Sequence, residues 1–317
     1  MFRLPRPVKL PAKVAIFDCG TNSVLLLVAR QKPSGKVTPL HQAIASPRLG
    51  EGLTGRGKLK PKAVARTLRS LKQLKNQAAR FKPDYFLALG TNIFRRAGDG
   101  PATARYFERE SGIPFVILSA AEEAGLEFLG ATSGLKTKYK VVVVDVGGGS
   151  SEVIWGRSGK ITNQISFEIG AVRLKEKFSR MENYRIGDWE QLRAKAAREV
   201  SKLKPKKVYP LAILTGGTAT TLAAFSLGLK KYQGEKVHGF QTTPEILKEK
   251  VEKLSRLSFS QRKKALFFDP ARADIIVPGG VILLEILGRL QIKKVTISDH
   301  GLRWGVIENW RIESWTH

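Results

Sequence analysis

Short runs of β-branched and apolar residues alternate along this chain with longer stretches in which apolar positions recur every three or four residues. The first pattern predicts buried strands and the second amphipathic helices. KVAIF (13–17), YFLAL (85–89), PFVILS (114–119), KVVVV (140–144), LAILT (211–215) and KKVTIS (293–298) are of the first kind. Pro61 opens a helical pattern with Val64, Leu68, Leu71 and Leu74 on one side and Lys62, Arg66, Arg69, Lys72 and Lys75 on the others. Further helices are predicted at AAEEAGLEFLGA (120–131), from Asp188, at TATTLAAFSL (218–227), across ARADIIVPGGVILLEILGRL (271–290) and at LRWGVIENWRI (302–312). Strands alternating with helices predict an α/β fold.

Two strands end alike. Residues 13–29 read KVAIFDCGTNSVLLLVA and residues 140–154 read KVVVVDVGGGSSEVI. Each has D-x-G-x-x-S after an apolar run: Asp18, Gly20 and Ser23 in one, Asp145, Gly147 and Ser150 in the other. Two copies this far apart indicate two related domains, each opening with a strand, a tight turn and a second strand. The expected domains are 1–133, joined by a C-terminal helix at 301–317, and 134–300. KTKYK (136–140) is the softest boundary between them.

Composition narrows the class. Across 317 residues, hydrophobic content of 42% and charged content of 26% describe a globular chain. Its single cysteine, Cys19, allows no intrachain disulfide. With four scattered histidines it also argues against a structural zinc site and for a reducing, cytoplasmic setting. The leading MFRLPRPVKLPAK is basic and proline-broken, without the apolar core of a signal peptide, and no long apolar run suggests a membrane span. Net charge is +28, and residues 1–80 carry 17 Lys or Arg against two acids. Such an excess is either a solvated surface or the field of a protein that meets polyanions, a nucleic acid or a phosphate-rich substrate.

The repeated turns suit the second reading. Consecutive glycines after a strand present backbone N–H groups on one side, a concavity that holds anions. Gly147, Gly148 and Gly149 have no Cβ to keep a phosphate away, and Ser150 and Ser151 add hydroxyls. Asp145 would repel a bare phosphate unless a cation, most simply Mg²⁺, lay between them. Asp18 holds the equivalent place in the first turn. No G-K-[ST] follows, so neither turn is a nucleotide P-loop. A single turn of this composition could equally be a plain β-hairpin; the second copy favours phosphate.

Taken together, FDCGTNSVLLLVA, RLGEGLTGRGKL, GTNIFRRA, ILSAAEEAGLEFLG, VVDVGGGSSEVI, SFEIGAVRLKEKF, LTGGTATTLAA, ARADIIVPGGVIL and ISDHGLRWGVI resemble, in family order, the exopolyphosphatase/guanosine pentaphosphatase (Ppx/GppA) phosphatases of the actin-like ATPase superfamily. The resemblance implies two ribonuclease-H-like domains around a cleft. It implies hydrolysis, with Mg²⁺ or another divalent cation, of the terminal phosphoanhydride of inorganic polyphosphate, of guanosine pentaphosphate (pppGpp), or of both. By the same resemblance Glu123 is the general base and Arg95 the phosphate-contacting arginine. Asp145, with Asp18 and Glu123, surrounds the metal. Asp18, Gly20, Thr21, Asn22 and Ser23 form the first phosphate turn, and Gly147, Gly148, Gly149 and Ser150 the second. Gly216, Gly217 and Thr218 match the segment that holds adenosine in ATP-binding relatives, although a plain strand-to-helix turn reads the same.

Residue chemistry separates the two adjacent acids. Ser119 to Glu122 is S-x-x-E, a capping box in which Glu122 folds back onto the N-cap. Glu123 lies about 100° further round the helix and is free for chemistry. Its place in the first turn, near the positive end of the helix dipole, predicts an ionised carboxylate. Cys19 is read as a packing residue, and His300 as structural or surface, with no role in the site.

The match departs in places. The usual acid after Arg303 is Trp304, Ala120 stands where a glycine is usual, and the further C-terminal domains of longer members are not present in this sequence. A basic regulator that binds polyphosphate or RNA without turnover is the alternative from another class, disfavoured by the full acid and arginine set. A homodimer is compatible with the resemblance; membrane association is not expected.

Overall fold

The computed structural model describes residues 10–53, 56–135, 140–157, 159–178, 188–204, 209 and 211–313. Most of the leading basic segment and all of KTKYK but Lys140 fall outside them. Contacts divide the chain into two compact units, Met1–Ser133 with Leu302–His317, and Gly134–Gly301.

The first unit is built on five strands: β1 (Ala12–Cys19), β2 (Val24–Gln31), β3 (Val37–Ala45), β4 (Tyr85–Gly90) and β5 (Phe115–Ile117), in the order β3-β2-β1-β4-β5. The first three form an antiparallel meander, and β4 and β5 add in parallel to β1. Helices α1 (Pro61–Ala79), α2 (Asn92–Arg96), α3 (Gly100–Ser111) and α4 (Ala120–Thr132) connect them.

Alternation along β1 divides the core of this unit. Ala15, Phe17 and Cys19 join Leu68, Leu71 and Phe107 of α1 and α3. Val14 and Ile16 join Leu126 of α4 and Trp304 and Ile307 of the final helix. Side chains on successive strand residues leave opposite faces, so Cys19 packs away from Asp18, as the sequence suggests. Trp304 is 5% exposed within that second cluster, where an acid would be buried among Val14, Ile16 and Leu27.

The second unit repeats the arrangement with β6 (Val141–Val146), β7 (Ser151–Arg157), β8 (Lys160–Phe167), β9 (Leu211–Thr215), β10 (Gln241–Thr242) and β11 (Lys294–Ile297), in the order β10-β11-β9-β6-β7-β8. Again a three-strand meander is extended by two parallel strands, β9 and β11, and β10 closes the edge antiparallel. The helices are α5 (Ala171–Lys177), α6 (Asp188–Glu199), α7 (Gly216–Ser226), α8 (Gly234–Val237), α9 (Pro244–Ser255), α10 (Phe259–Ala265) and α11 (Ile276–Arg289), and the chain ends on α12 (Leu302–Glu313), which belongs to the first unit. Both units are mixed-sheet α/β bodies, as predicted.

Two local readings need correction. The helix expected from Ala271 starts at Ile276, because Pro270–Arg272 forms a separate single turn. The buried Arg262 holds that turn by donating from Nε to the Ala273 carbonyl at 2.9 Å. Strands β3 and β8 were not anticipated. They are the outer strands of the meanders at the sheet edges, carry mostly exposed and half-buried residues, and so lack the continuous apolar run of a central strand. Among the described residues no helix is long and apolar enough to cross a membrane.

Candidate active site

The two D-x-G-x-x-S segments close with the same backbone hydrogen bond. In each, four residues join paired strands: Gly20–Ser23 between Cys19 and Val24, and Gly147–Ser150 between Val146 and Ser151. Each is closed by the first residue's N–H donating to the fourth residue's carbonyl, Gly20 to Ser23 at 2.9 Å and Gly147 to Ser150 at 3.0 Å. In each, two of the other three carbonyls are taken by a neighbouring segment. The carbonyls of Thr21 and Asn22 accept from the N–H groups of Gly50 and Arg48, and those of Gly147 and Gly148 accept from Ala171 and Val172 at the start of α5. The N–H groups of Thr21, Asn22, Gly148 and Gly149 donate to no carbonyl among the described residues. Pinned acceptors with donors left over are the property of an anion cradle.

At the head of the first turn Asp18 is half-buried at the end of β1. Its Oδ1 is out of reach of solvent and has no hydrogen-bond partner among the described residues. Burial pushes its carboxyl up to about 7, against the pull of the Arg303 guanidinium and with a further push from the Glu123 carboxylate. Arg303 reaches this position from α12, where Nη1 donates to the Leu26 carbonyl at 2.6 Å. Asn22 is also buried; its Nδ2 donates to Ser23 Oγ at 3.0 Å and its Oδ1 is unsatisfied.

Glu123 completes this half of the site from the first turn of α4. Ser119 and Glu122 form the predicted capping box, which leaves Glu123 free of capping. Arg95 Nη1 lies 2.6 Å from Glu123 Oε2, and the two side chains are 25% and 18% exposed. Oε2 meets no donor in hydrogen-bond alignment, so the contact is an ion pair held by distance rather than direction. The same Nη1 donates to the Leu118 carbonyl at 2.7 Å, which fixes the guanidinium against the end of β5. Burial raises the Glu123 carboxyl above its ordinary value, while Arg95 and the Asn92 N–H pull it down. The downward pull expected of a first-turn position is thus outweighed by desolvation, which leaves the carboxyl above its ordinary value.

In the second unit Asp145 stands two residues before its turn, on β6 beside Thr215 of β9. Gly216 has φ of +77°, and a Cβ there would collide with Asp145 Oδ1, so the acid rests against the first residue of α7. Thr218 Oγ1 donates to the Val146 carbonyl at 3.0 Å. Gly216, Gly217 and Thr218 therefore assemble with Asp145. The space over Gly217 holds the Arg272 guanidinium, which Asp269 anchors through Nε at 2.9 Å.

Asp18, Asp145 and Glu123 offer only oxygen. Among the described residues no cluster of three or more His, Cys, Asp or Glu could hold a metal ion. A buried carboxylate oxygen without a hydrogen-bond partner, as at Asp18, fits a hard divalent cation that keeps most of its water and takes one or two protein ligands. It does not suit metals that prefer thiolate or imidazole.

Two α/β units with the actin-like strand order, each headed by an acid and an N–H-bearing turn, define a phosphate-handling class of fold. Residues 27–312 match the Ppx/GppA phosphatase family, and the chain belongs to it. It is 28% identical to exopolyphosphatase 2 of Mycobacterium tuberculosis, over 93% of this chain and 97% of that protein. The crystal structure of the Aquifex aeolicus Ppx/GppA family member superposes with a TM-score of 0.80 at 29% identity, covering 96% of this chain and 99% of that one. An exopolyphosphatase from Cytophaga hutchinsonii shares the fold, with a TM-score of 0.81 at 22% identity and coverage of 95% and 98%.

Three residues of the site lay within matching segments but were not singled out: Arg303, Arg272 and Gly170. Gly170 is the most telling. A Cβ there would overlap the backbone of Gly148 and Gly149, so the residue before α5 must be bare for the helix to hold the glycine turn. Gly170→Ala is expected to loosen that turn, raising KM for a phosphate substrate more than it lowers Tm. Substrate titration and thermal melts on the same preparation check the order of the two effects.

Proposed function

We propose that the protein is an exopolyphosphatase that hydrolyses the terminal phosphoanhydride of inorganic polyphosphate and releases orthophosphate. The observation that supports this best is Glu123, a half-buried carboxylate with raised basicity, paired at 2.6 Å with Arg95 and close enough to Asp18 to raise its pKa. A desolvated carboxylate is a better base than one in water, and a guanidinium is the natural grip for a phosphate. The curated relative from Mycobacterium tuberculosis supports the choice of substrate.

In this reading Arg95 leaves Glu123 for the terminal phosphate when substrate arrives. That withdraws the one cation that lowers the carboxyl, so Glu123 becomes more basic as the substrate docks. Glu123 then orients a water and takes its proton as the oxygen attacks the terminal phosphorus in line. The shortened chain departs with the bridging oxygen. The N–H groups of Thr21 and Asn22, in the same unit as Glu123 and Arg95, receive charge on the phosphate oxygens, so the catalytic effect is positioning and electrostatics. Asp18 in the first unit and Asp145 in the second are each a residue that would hold Mg²⁺, which would neutralise phosphate charge when bound.

The test is orthophosphate release from polyphosphate and from pppGpp, each with Mg²⁺. Turnover of polyphosphate is expected. Turnover of pppGpp alone would move the substrate to the nucleotide with the same bond broken, and release from neither would overturn the reading.

A further inference from the structure

We infer that the exposed basic face running from Arg56 along α1 is a docking track for the distal part of a long polyphosphate chain whose end is being hydrolysed. This rests on the exopolyphosphatase reading for its ligand and on the structure of the first unit for its place.

Between Glu51 and Asp84 the sequence has ten Lys or Arg and no acid, whereas residues 81–133 carry five basic and seven acidic residues. The excess of this unit is therefore local. Among the described residues two acids form ion pairs on this face, Glu51 with Arg66 at 2.8 Å and Glu110 with Lys72 at 3.7 Å, and a third, Asp99, is taken up by the Leu59 N–H at its start. Arg56, Lys58, Lys62, Arg69 and Arg80 are exposed and form no ion pair there. Lys62, Arg69 and Arg80 fall within about 20° of one another around the helix, at 3.6 residues per turn. They form one stripe along the 19 residues of α1, about 28 Å at 1.5 Å per residue.

Topology brings the start of this stripe to the candidate site. Ala45, at the end of β3, pairs with Val24, which pairs with Cys19, so the chain leaves β3 at the sheet end that carries Asp18. Two hydrogen bonds then fasten the approach to α1 beside Arg95. Gly98 N–H donates to the Gly57 carbonyl at 3.0 Å, and Leu59 N–H donates to Asp99 Oδ1 at 3.0 Å. Leu59 is buried while Lys58 and Lys60 on either side are exposed. A cationic path thus leads from the residues just after Arg95 and Arg96 along the length of α1. Single-stranded nucleic acid would need aromatic platforms for its bases. Among the described residues the exposed large apolar side chains, Ile44, Tyr106, Leu227, Ile246 and Phe267, all lie off α1. A chain that is all phosphate and no base fits the face better.

The test compares wild type with K58Q/K62Q/R69Q and with K160Q/K230Q/K264Q, which removes equal charge from exposed positions of the second unit. For polyphosphate of several hundred units the first variant should raise KM about tenfold or more and reduce the slope of log affinity against log salt by about 2, at roughly 0.7 per lost contact. For tripolyphosphate, too short to reach the track, KM should stay within about twofold. Equal effects on both lengths, no effect on either, or the same loss in the charge-matched variant would overturn the proposal. If wild type releases no phosphate from any polyphosphate, the exopolyphosphatase reading fails by itself. Direct binding of labelled long polyphosphate to the three proteins then decides the track: tenfold weaker binding by the first variant alone supports it, and equal binding overturns it. Weakened binding of single-stranded RNA with polyphosphate binding intact also overturns it.

Discussion

Replacement of Glu123 by Gln should reduce turnover of polyphosphate by about 10² to 10⁴ and leave its binding within a few-fold of wild type, the usual worth of a positioned general base. The amide keeps the size and position of the carboxylate but cannot take a proton. It also removes the anion that holds Arg95 at 2.6 Å, so the guanidinium is free for phosphate, and KM should if anything fall. In wild type the acid limb of the kcat profile should lie above the ordinary carboxylate range, because burial raises Glu123. Turnover requires the ionised form, so activity rises with pH through that limb. Steady-state kinetics of both proteins across pH check this; an active Gln variant removes Glu123 from the role.

The second large effect is on stability. Asp18 ionises near 7 in the folded protein against 3.8 in its ordinary state. Its native form therefore binds the proton more tightly than the unfolded chain does. The stability this provides is fully present below about pH 3.8, declines as pH rises toward 7, and is gone above it. Three pH units correspond to about 4 kcal/mol, an upper figure because the unit can relax around the charge. Asp18→Asn, neutral at every pH, should lack this decline. Without divalent cation it should be more stable than wild type at pH 8, with the gap closing toward pH 5. Urea denaturation at both pH values measures it. Added Mg²⁺ should recover stability at pH 8 in wild type and less in the variant, as expected for a ligand of the native state.

These two residues show what was legible in the chain beforehand. Strand, turn and capping patterns are local, so the paired D-x-G-x-x-S turns, the Ser119–Glu122 box and the freedom of Glu123 could be read from neighbours in sequence. The sign of the Glu123 shift could not. The helix dipole is visible in the sequence, but the desolvation that overrides it depends on how α4, α2 and β5 close together. Arg303 is a sharper case. It acts on Asp18 from a helix that begins 284 residues later and returns to the first unit, and nothing in its spacing announces that pairing. Gly170 was legible as part of a matching segment, but its reason, a backbone crossing over Gly148 and Gly149, is tertiary. Strands β3 and β8 escaped because an edge strand with one wet face needs no apolar run.

Hydrolysis of polyphosphate in ¹⁸O-water tests the central claim most directly. Water activated by Glu123 is held to attack the terminal phosphorus, so each orthophosphate released in a single cleavage should carry one solvent oxygen and the shortened chain none. Label on the new chain end would place the attack on the penultimate phosphorus and contradict the account, as would the absence of any labelled orthophosphate.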